Sequence, residues 1–439
     1  PFPSRTFCEA NSRTRLITDS FIADSAPTIL SNWLTAPKHN HESHENRKHQ
    51  MTNFSSRLDG LFQSDIRALT QLVNAVDGIN LGQGICDLPT PDPIKRGAIQ
   101  AIQGDKSIYS SYSGVRRLRE PIYEKVRSFN RIPADSSDEI MVSAGATGAF
   151  VTAAMTLLDA GDDVVLFEPF YGYHLNILKI LGIGTRNLRI GSPEDPVDFD
   201  ALDRLIAPTT RAIVVTTPNN PSGKVWTRAE LTQLLEIAER HDLYIITDEI
   251  YEYMTYDGHE HISPASIDGA YDRTVTISGF SKTYNMTGWR LGYAVAKPEI
   301  IDRMGLLNDL LYICAPTPLQ YGVSHAFSMG DAYFDNLRRD YAARREKLAT
   351  TLERIGMKLQ RPQGAYYILA DYSPLRERLE GYEDDRAAAE TLIREAGVAA
   401  IPGRSFFTNP ADGRDLLRFT FAKEMPILEE ACRRLESLV

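Results

Sequence analysis

What the sequence lacks narrows the field first. Its 439 residues hold only four cysteines, Cys8, Cys86, Cys314 and Cys432, far apart and without a Cys-x-x-Cys pair. That pattern excludes a disulfide framework and a cysteine-based zinc site, and it predicts a reducing, cytoplasmic setting. Long apolar runs are missing as well. No stretch reaches the roughly 20 consecutive apolar residues of a membrane span, so a membrane is not an expected partner. Basic residues are in deficit, 48 Lys and Arg against 58 Asp and Glu, for a formal charge of −10. A chain of that sign suits neither nucleic acid nor an anionic lipid surface, although a local basic pocket for a small anion stays open. The usual nucleotide-binding glycine patterns are also absent. Gly82-Gln83-Gly84 has Asp87 where a dinucleotide fingerprint needs its third glycine, and Gly223-Lys224 is followed by Val225, with no glycine at position 218.

What is present reads as a globular α/β protein. Hydrophobic residues make up 43% of the chain, enough for large cores, and the length predicts two domains. Residues 1–50 stand apart: they contain no methionine and end in a polar, His-rich run from His39 to His49. They are read as a disordered or non-native extension, with Met51 as the candidate start of the remainder. A metal-binding tract and a targeting peptide are the weaker readings of this segment.

Beyond Met51, residues 65–76 have the spacing of an amphipathic helix with Ile66, Leu69, Leu72, Val73 and Val76 on one face. A short strand at 79–81 enters Gly82-Gln83-Gly84. The runs at 164–167, 212–216, 244–247 and 274–277 are short, β-branched and nearly continuous, as expected of strands buried on both faces of a mainly parallel sheet. Between them, 229–241 predicts a helix with Leu231, Leu234, Leu235 and Ile237 inward. From about Tyr333 the character shifts to that of a second, α+β domain. A long charged helix is expected at 338–355, a strand at 365–369, a helix at 387–396, a strand at 416–421 and a closing helix at 426–438.

Three of the predicted strands end in unusual polar residues. One runs into Thr217-Pro218-Asn219-Asn220, one ends at Asp248-Glu249-Ile250-Tyr251, and one leads through Ser278-Gly279-Phe280-Ser281 to Lys282. Ligands of open α/β sheets bind outside the carboxyl ends of the strands, so Asn220, Asp248, Tyr251 and Lys282 are candidates for one pocket. An amide, a carboxylate, a phenol and an amine together suit a phosphorylated pyridine aldehyde. The amine forms a Schiff base, the carboxylate pairs with the protonated ring nitrogen, and the amide and phenol hold the ring hydroxyl. For the phosphate, Ser281, Arg290 and a helix start at Ser143-Ala144-Gly145-Ala146-Thr147-Gly148 offer hydroxyls, a cation and backbone amides.

The stretch SGFSKTYNMTGWRLGYA at 278–294 resembles the lysine signature of the class I/II aminotransferases, members of the fold-type I enzymes that use pyridoxal 5′-phosphate. TPNNPSG, DEIY, SAGATGAF and the final RFTFA continue the likeness, in order, from about Phe54 to Val439. The resemblance implies an α/β fold with a large domain, a mainly parallel sheet flanked by helices, and a smaller α+β domain built from both chain ends. Residues 51–93 and 328–439 would form the small domain and 94–327 the large one. It also implies roles at matching positions. Lys282 would be the Schiff-base lysine and proton shuttle, Asp248 the partner of the ring nitrogen, and Asn220 and Tyr251 the partners of the ring hydroxyl. Tyr171 would stack on the ring, and Ala146, Thr147, Ser281 and Arg290 would bind phosphate. Tyr109 would reach the phosphate of a neighbouring subunit in a homodimer with shared sites. Arg418 would grip the substrate α-carboxylate, with Gly82 lying against the substrate.

Singly these residues have blander uses. Lysines after strands are usually solvated, Asp248 suits a helix cap, Asn220 suits an Asx turn before proline, and Tyr171 and Arg418 suit packing and a strand surface. The motif order favours the functional reading. The expected activity is ping-pong transfer of an amino group from an L-amino acid to a 2-oxo acid such as 2-oxoglutarate. A β-lyase on the same fold and a non-catalytic pyridoxal-phosphate-binding regulator are the alternatives. The regulators of this fold that bind DNA carry a basic domain in front, which residues 1–50 are too short and irregular to supply. The donor stays open among aspartate, aromatic, glutamine or methionine, and kynurenine types. Thr147 stands where some bacterial aspartate enzymes of the family have lysine, which counts against aspartate.

Overall fold

A computed structural model describes residues 55–58, 61, 65–376, 378 and 380–439, so the expectations for residues 1–50 lie outside the described residues. The central sheet has seven strands: β1 (Ile140–Ala144), β2 (Asp163–Glu168), β3 (Gly184–Arg189), β4 (Thr210–Thr216), β5 (Tyr244–Asp248), β6 (Thr274–Gly279) and β7 (Leu291–Val295). Their order is β1-β7-β6-β5-β4-β2-β3. All adjacent pairs from β6 to β3 are parallel, and β7 alone runs against both its neighbours.

The continuous apolar runs are explained by what covers them. Val164, Leu166, Ala212, Val214 and Ile246 belong to one buried cluster, whereas Val165, Phe167, Ile213, Val215 and Ile245 belong to another. Successive side chains of a strand point to opposite faces, so a strand buried on both must be apolar at every position. Helix Gly145–Leu157 helps cover the first face through Ala149, Phe150, Ala153 and Ala154. Helix Arg228–Arg240 covers the second through Leu231, Leu234, Leu235 and Ile237, and Thr227 and Glu230 close a reciprocal capping box at its start.

A second, antiparallel sheet holds β8 (Lys358–Leu359), β9 (Tyr367–Asp371), β10 (Ile401–Pro402) and β11 (Leu416–Thr420) in the order β10-β11-β9-β8. It shares a core with helices Asp331–Arg354, Asp385–Ala396 and Met425–Glu436, through Leu348, Leu352, Leu392, Phe419 and Leu428. Leu69 and Val73 of helix Asp65–Ala75 belong to the same core. Ile79–Asn80 pairs in parallel with Val398–Ala399, so the segment before the central sheet joins the segment after it.

Several expectations need correction. In the first helix Leu69 and Val73 are buried, but Leu72 and Val76 are largely exposed: the buried stripe is narrower than the apolar spacing implies, and Val76 lies past the last helical residue. The strand expected at 365–369 starts two residues later, because Ala365 has φ +59° and donates its N–H to Met254 O. The long helix begins at Asp331, seven residues before the expected start at 338. Three central strands escaped the sequence reading. β3 is an edge strand with a half-exposed, polar sequence, while β1 and β7 lie beside or within the motifs read above as site segments.

The shared core makes a direct prediction. Leu352 is fully buried, so Leu352→Ala should lower unfolding free energy by about 2–5 kcal/mol, read from chemical denaturation with an unchanged transition slope.

Candidate active site

Three adjacent parallel strands build the floor of the site. In register, Thr216 of β4 lies opposite Asp248 of β5, and Asp248 lies opposite Ile277 of β6. Because the strands are parallel, the segments leaving them all emerge at one edge. There Asn220, Asp248, Tyr251, Ser281 and Lys282 line one cavity of about 340 Å³, together with Ala146, Thr147, Tyr171, Arg290 and Arg418. Sequence positions nearly three hundred residues apart thus meet as the strand-end argument requires.

Lys282 stands at the centre. Its Nζ donates to Gly84 O at 3.2 Å and lies 5.6 Å from the centre of the Tyr366 ring. Burial holds the amine below the ordinary lysine range. The Arg418 charge adds to this, and Tyr367 and Asp248 oppose it. A lowered lysine pKa leaves more of the neutral, nucleophilic amine near neutrality. Asp248 is buried. Its Oδ1 accepts from Ile250 N at 3.2 Å, and its Oδ2 lies 3.2 Å from His174 Nε2. The Phe150 ring stacks on His174 at 4.3 Å, and the Tyr171 ring meets it edge-on at 5.3 Å.

On the opposite wall Tyr251 and Tyr367 touch through their hydroxyls at 3.2 Å. Burial, and next the closeness of Tyr367, push the Tyr251 phenol well above its usual pKa, so it stays a neutral hydrogen-bonding group. Arg418 lies on β11, only 2% exposed. Its Nη1 donates to Asn220 Oδ1 at 3.0 Å and its Nη2 to Gly82 O at 2.7 Å, while the guanidinium sits over the Tyr367 ring at 4.3 Å. Arg418 Nε is buried without a hydrogen-bond partner among the described residues.

The anion-binding corner is built from backbone. Helix Gly145–Leu157 starts here, so Ala146 and Thr147 offer first-turn N–H groups that no carbonyl of the helix can satisfy. Gly145 has φ +74°, and a Cβ there would come within 2.5 Å of Arg290 Nη2. A Cβ on Gly292 would likewise meet Ala146 N at 2.4 Å. Both glycines therefore keep room for Arg290 and the helix start to approach each other. Ser281 adds a buried hydroxyl at the same edge.

Two predicted residues stand outside this group. Tyr109 is 76% exposed and does not line the cavity. Gly82 meets the site only through its carbonyl on Arg418. The sequence reading missed His174, Phe150, Ile177, Ile85 and Tyr367, all on the cavity wall. His174 had a signal, three residues beyond Tyr171 at a helix start. Tyr367 had none, being one of two adjacent tyrosines in a core strand.

A lysine amine beside a buried carboxylate, with an anion corner on one side and a buried arginine on the other, fits pyridoxal 5′-phosphate bound with an amino acid. Known proteins agree. The profile of the family described as "Aminotransferase class I and II" matches residues 76–435. The chain is 34% identical over 398 residues to the probable N-succinyldiaminopimelate aminotransferase DapC of Mycobacterium tuberculosis, covering 87% of this chain and 98% of that protein. It is 33% identical over 389 residues to aromatic-amino-acid aminotransferase 2 of Thermococcus litoralis, covering 88% and 98% respectively. The solved structure of the N-succinyldiaminopimelate aminotransferase from Mycobacterium tuberculosis superposes with a TM-score of 0.84 at 33% identity, over 88% of this chain and all of that one. The chain belongs to the class I and II aminotransferases, enzymes of fold type I that depend on pyridoxal 5′-phosphate.

Proposed function

We propose that this aminotransferase carries its cofactor on Lys282 and moves amino groups from neutral, apolar or aromatic L-amino acids to a 2-oxo acid such as 2-oxoglutarate. The observation that carries the site assignment is the convergence of Lys282, Asp248 and Arg418 on one cavity from three distant segments. Bound pyridoxal phosphate supplies an aldehyde that captures amines and a ring that accepts the electrons left when the donor's α-proton departs. The chain supplies the rest. Asp248, braced by His174 and the Ile250 amide, pairs with the ring nitrogen and keeps it protonated. Asn220 and Tyr251 hold the ring hydroxyl, and Tyr171 lies against the ring face. Ala146, Thr147, Ser281 and Arg290 hold the phosphate. Arg418 would give up the Gly82 carbonyl for the donor's α-carboxylate, a two-point ion pair that would orient the donor in the cavity. The Lys282 amine would be the base that takes the donor's α-proton and the acid that returns it, a general acid–base contribution on the order of 10²–10⁴-fold.

The donor class follows from charge. Lys282, Arg290 and Arg418 are the only lysine or arginine residues on the cavity wall among the described residues, and each has a task. The remaining wall offers Ile85, Phe150, Tyr173, Ile177 and Ile250. Gln83, Thr287 and the Tyr173 phenol are among the neutral groups on the wall that could meet the second carboxylate of 2-oxoglutarate. A cytoplasmic enzyme follows from the cysteine usage. The division into a small domain from residues 51–93 and 328–439 and a large one from 94–327 suits the two sheets and the shared core. A homodimer is part of the same reading. Ile108, Tyr109, Leu306, Leu310 and Ile313 are exposed, and Asn308 Nδ2 ties the helix of Leu306 and Leu310 to Tyr112 O at 2.7 Å, next to Tyr109. That apolar surface presents Tyr109 to a second copy.

Three outcomes test this reading. Lys282→Ala should lose the visible absorbance of the bound cofactor and nearly all turnover, whereas Asp248→Ala should keep the absorbance and lose turnover; a Lys282→Ala protein that retained both would refute the assignment. In a donor screen with 2-oxoglutarate, phenylalanine, tyrosine or methionine should exceed aspartate in kcat/KM by about tenfold or more, a gap of about 1.4 kcal/mol in transition-state binding; aspartate as best donor would overturn the neutral-donor reading. Leu310→Asp should convert a dimer into monomers by light scattering and weaken cofactor retention, and an unchanged mass would remove the interface from that helix.

A further inference from the structure

Behind the 249–252 turn lies a second cluster of charge that the mechanism above does not use. Glu249 and Glu252 alternate along the chain with Asp248, Ile250 and Tyr251, which line the cavity. The two glutamates are buried on the other side of the same turn. Glu252 Oε2 pairs with Lys125 Nζ and accepts from Asn130 Nδ2 at 2.8 Å, while its Oε1 accepts from Ser278 Oγ at 2.9 Å. Glu249 Oε2 lies 2.7 Å from His261 Nε2, and its Oε1 accepts from Ser263 Oγ at 2.8 Å. The Glu249 backbone adds two ties to β6, its N–H donating to Ile277 O at 2.8 Å and its carbonyl accepting from Ser278 Oγ at 3.4 Å.

Glu249, Glu252 and His261 bring ligand atoms within 4.8 Å of one another, a spacing that also suits a metal ion. The occupants argue otherwise. The Lys125 ammonium already supplies the cation, and the Asn130 amide donates to Glu252 at 2.8 Å and to Glu249 at 3.3 Å. A cation brought into this space would face an ammonium and an amide N–H₂. The cluster is therefore a filled ion-pair network, and its members come from separate elements: Lys125 from helix Arg116–Ser128, Ser278 from β6, and His261 and Ser263 from a following loop.

Burying two carboxylates is costly, and a well-packed apolar cluster would hold the same elements at least as firmly. What the charges add is directional geometry. Ser278 precedes Lys282 by four residues, and Glu252 follows Tyr251 directly. We propose that Glu252 is a positioning residue for transamination: through Ser278 and Lys125 it fixes the turn that carries Tyr251 relative to the strand that carries Lys282. This rests on the cofactor reading above. Glu252 does not line the cavity that holds Lys282, and acts only by where it holds the Tyr251 hydroxyl.

Glu252→Gln is the obvious variant, but it faces the Lys125 ammonium with an amide and risks the fold. Ser278→Ala is the gentler one, because it removes only the side-chain ties from β6 to Glu252 Oε1 and Glu249 O, and leaves the Lys125 ion pair and the Glu249 N to Ile277 O bond whole. In the cofactor-loaded enzyme, Ser278→Ala should lower kcat about five- to tenfold while donor KM changes less than about twofold, the signature of misplacement rather than lost binding. The pH at which the bound cofactor's visible band converts should move by at least about half a unit. Tyr251→Phe should move it in the same direction, and the double variant should move it no further, since residues acting through one another are not additive. Additive shifts, or a Ser278→Ala enzyme with the unaltered enzyme's kcat and band, would overturn the positioning role while leaving Lys282 and Asp248 in place. A Tyr251→Phe enzyme with an unmoved band would overturn it together with the assignment of Tyr251 to the ring hydroxyl.

Discussion

The site depends on the hydrogen-bonded register of β4, β5 and β6. Parallel neighbours with short offsets force the three segments that leave them to appear side by side at one edge. Asn220, Asp248 and Lys282 are near one another because backbone N–H and C=O groups pair in that register, and the apolar runs on both faces keep it from slipping. Everything chemical is attached to that edge. The anion corner is added by the helix leaving β1, and the arginine by a strand of the other sheet.

Much of this was legible in the sequence, and the reasons are physical. Strands buried on both faces must be apolar throughout, so β2, β4, β5 and β6 announced themselves, and the polar residues at their ends stood out against them. The residues at that edge follow directly on the apolar strands, in short polar segments that can be read as motifs. β3 was hidden because an edge strand half open to solvent has no apolar run to display. Leu72 and Val76 misled for a related reason: apolar spacing marks which residues share a helix face, and cannot mark how wide the neighbour on that face is.

The side chains that were missed share another property. Phe150 and Tyr367 act through contacts with elements distant in sequence, and nothing local distinguishes them from core residues, whereas His174 had only its place near Tyr171 to mark it. Tyr367 carries several loads at once. It meets the Tyr251 hydroxyl and underlies the Arg418 guanidinium, and its own hydroxyl would stand within 1.9 Å of a Cβ on Gly84. That last contact explains the glycine at 84, as the close approach of Ile401 explains the one at 82, and neither use was readable from the segment itself. The buried Glu249–Glu252–Lys125 cluster was invisible for the same reason, since its charges look like surface charges until the fold encloses them.

The segment from Gly82 to Gly84 places two of its carbonyls against basic side chains. Gly82 O accepts from Arg418 and Gly84 O from Lys282, so both basic side chains at this edge already have a neutral partner. A ligand therefore does not meet bare charge; it trades places with a neutral acceptor already in position. The free energy it gains is the difference between a carboxylate and a carbonyl as acceptor, which is modest for a weak or neutral ligand and large only for a full negative charge. The peptide backbone thus acts as a built-in competitor. With Arg418 and Lys282 in their proposed roles, it would set a threshold that amines and amides without a carboxylate fall below, and that α-amino and 2-oxo acids clear.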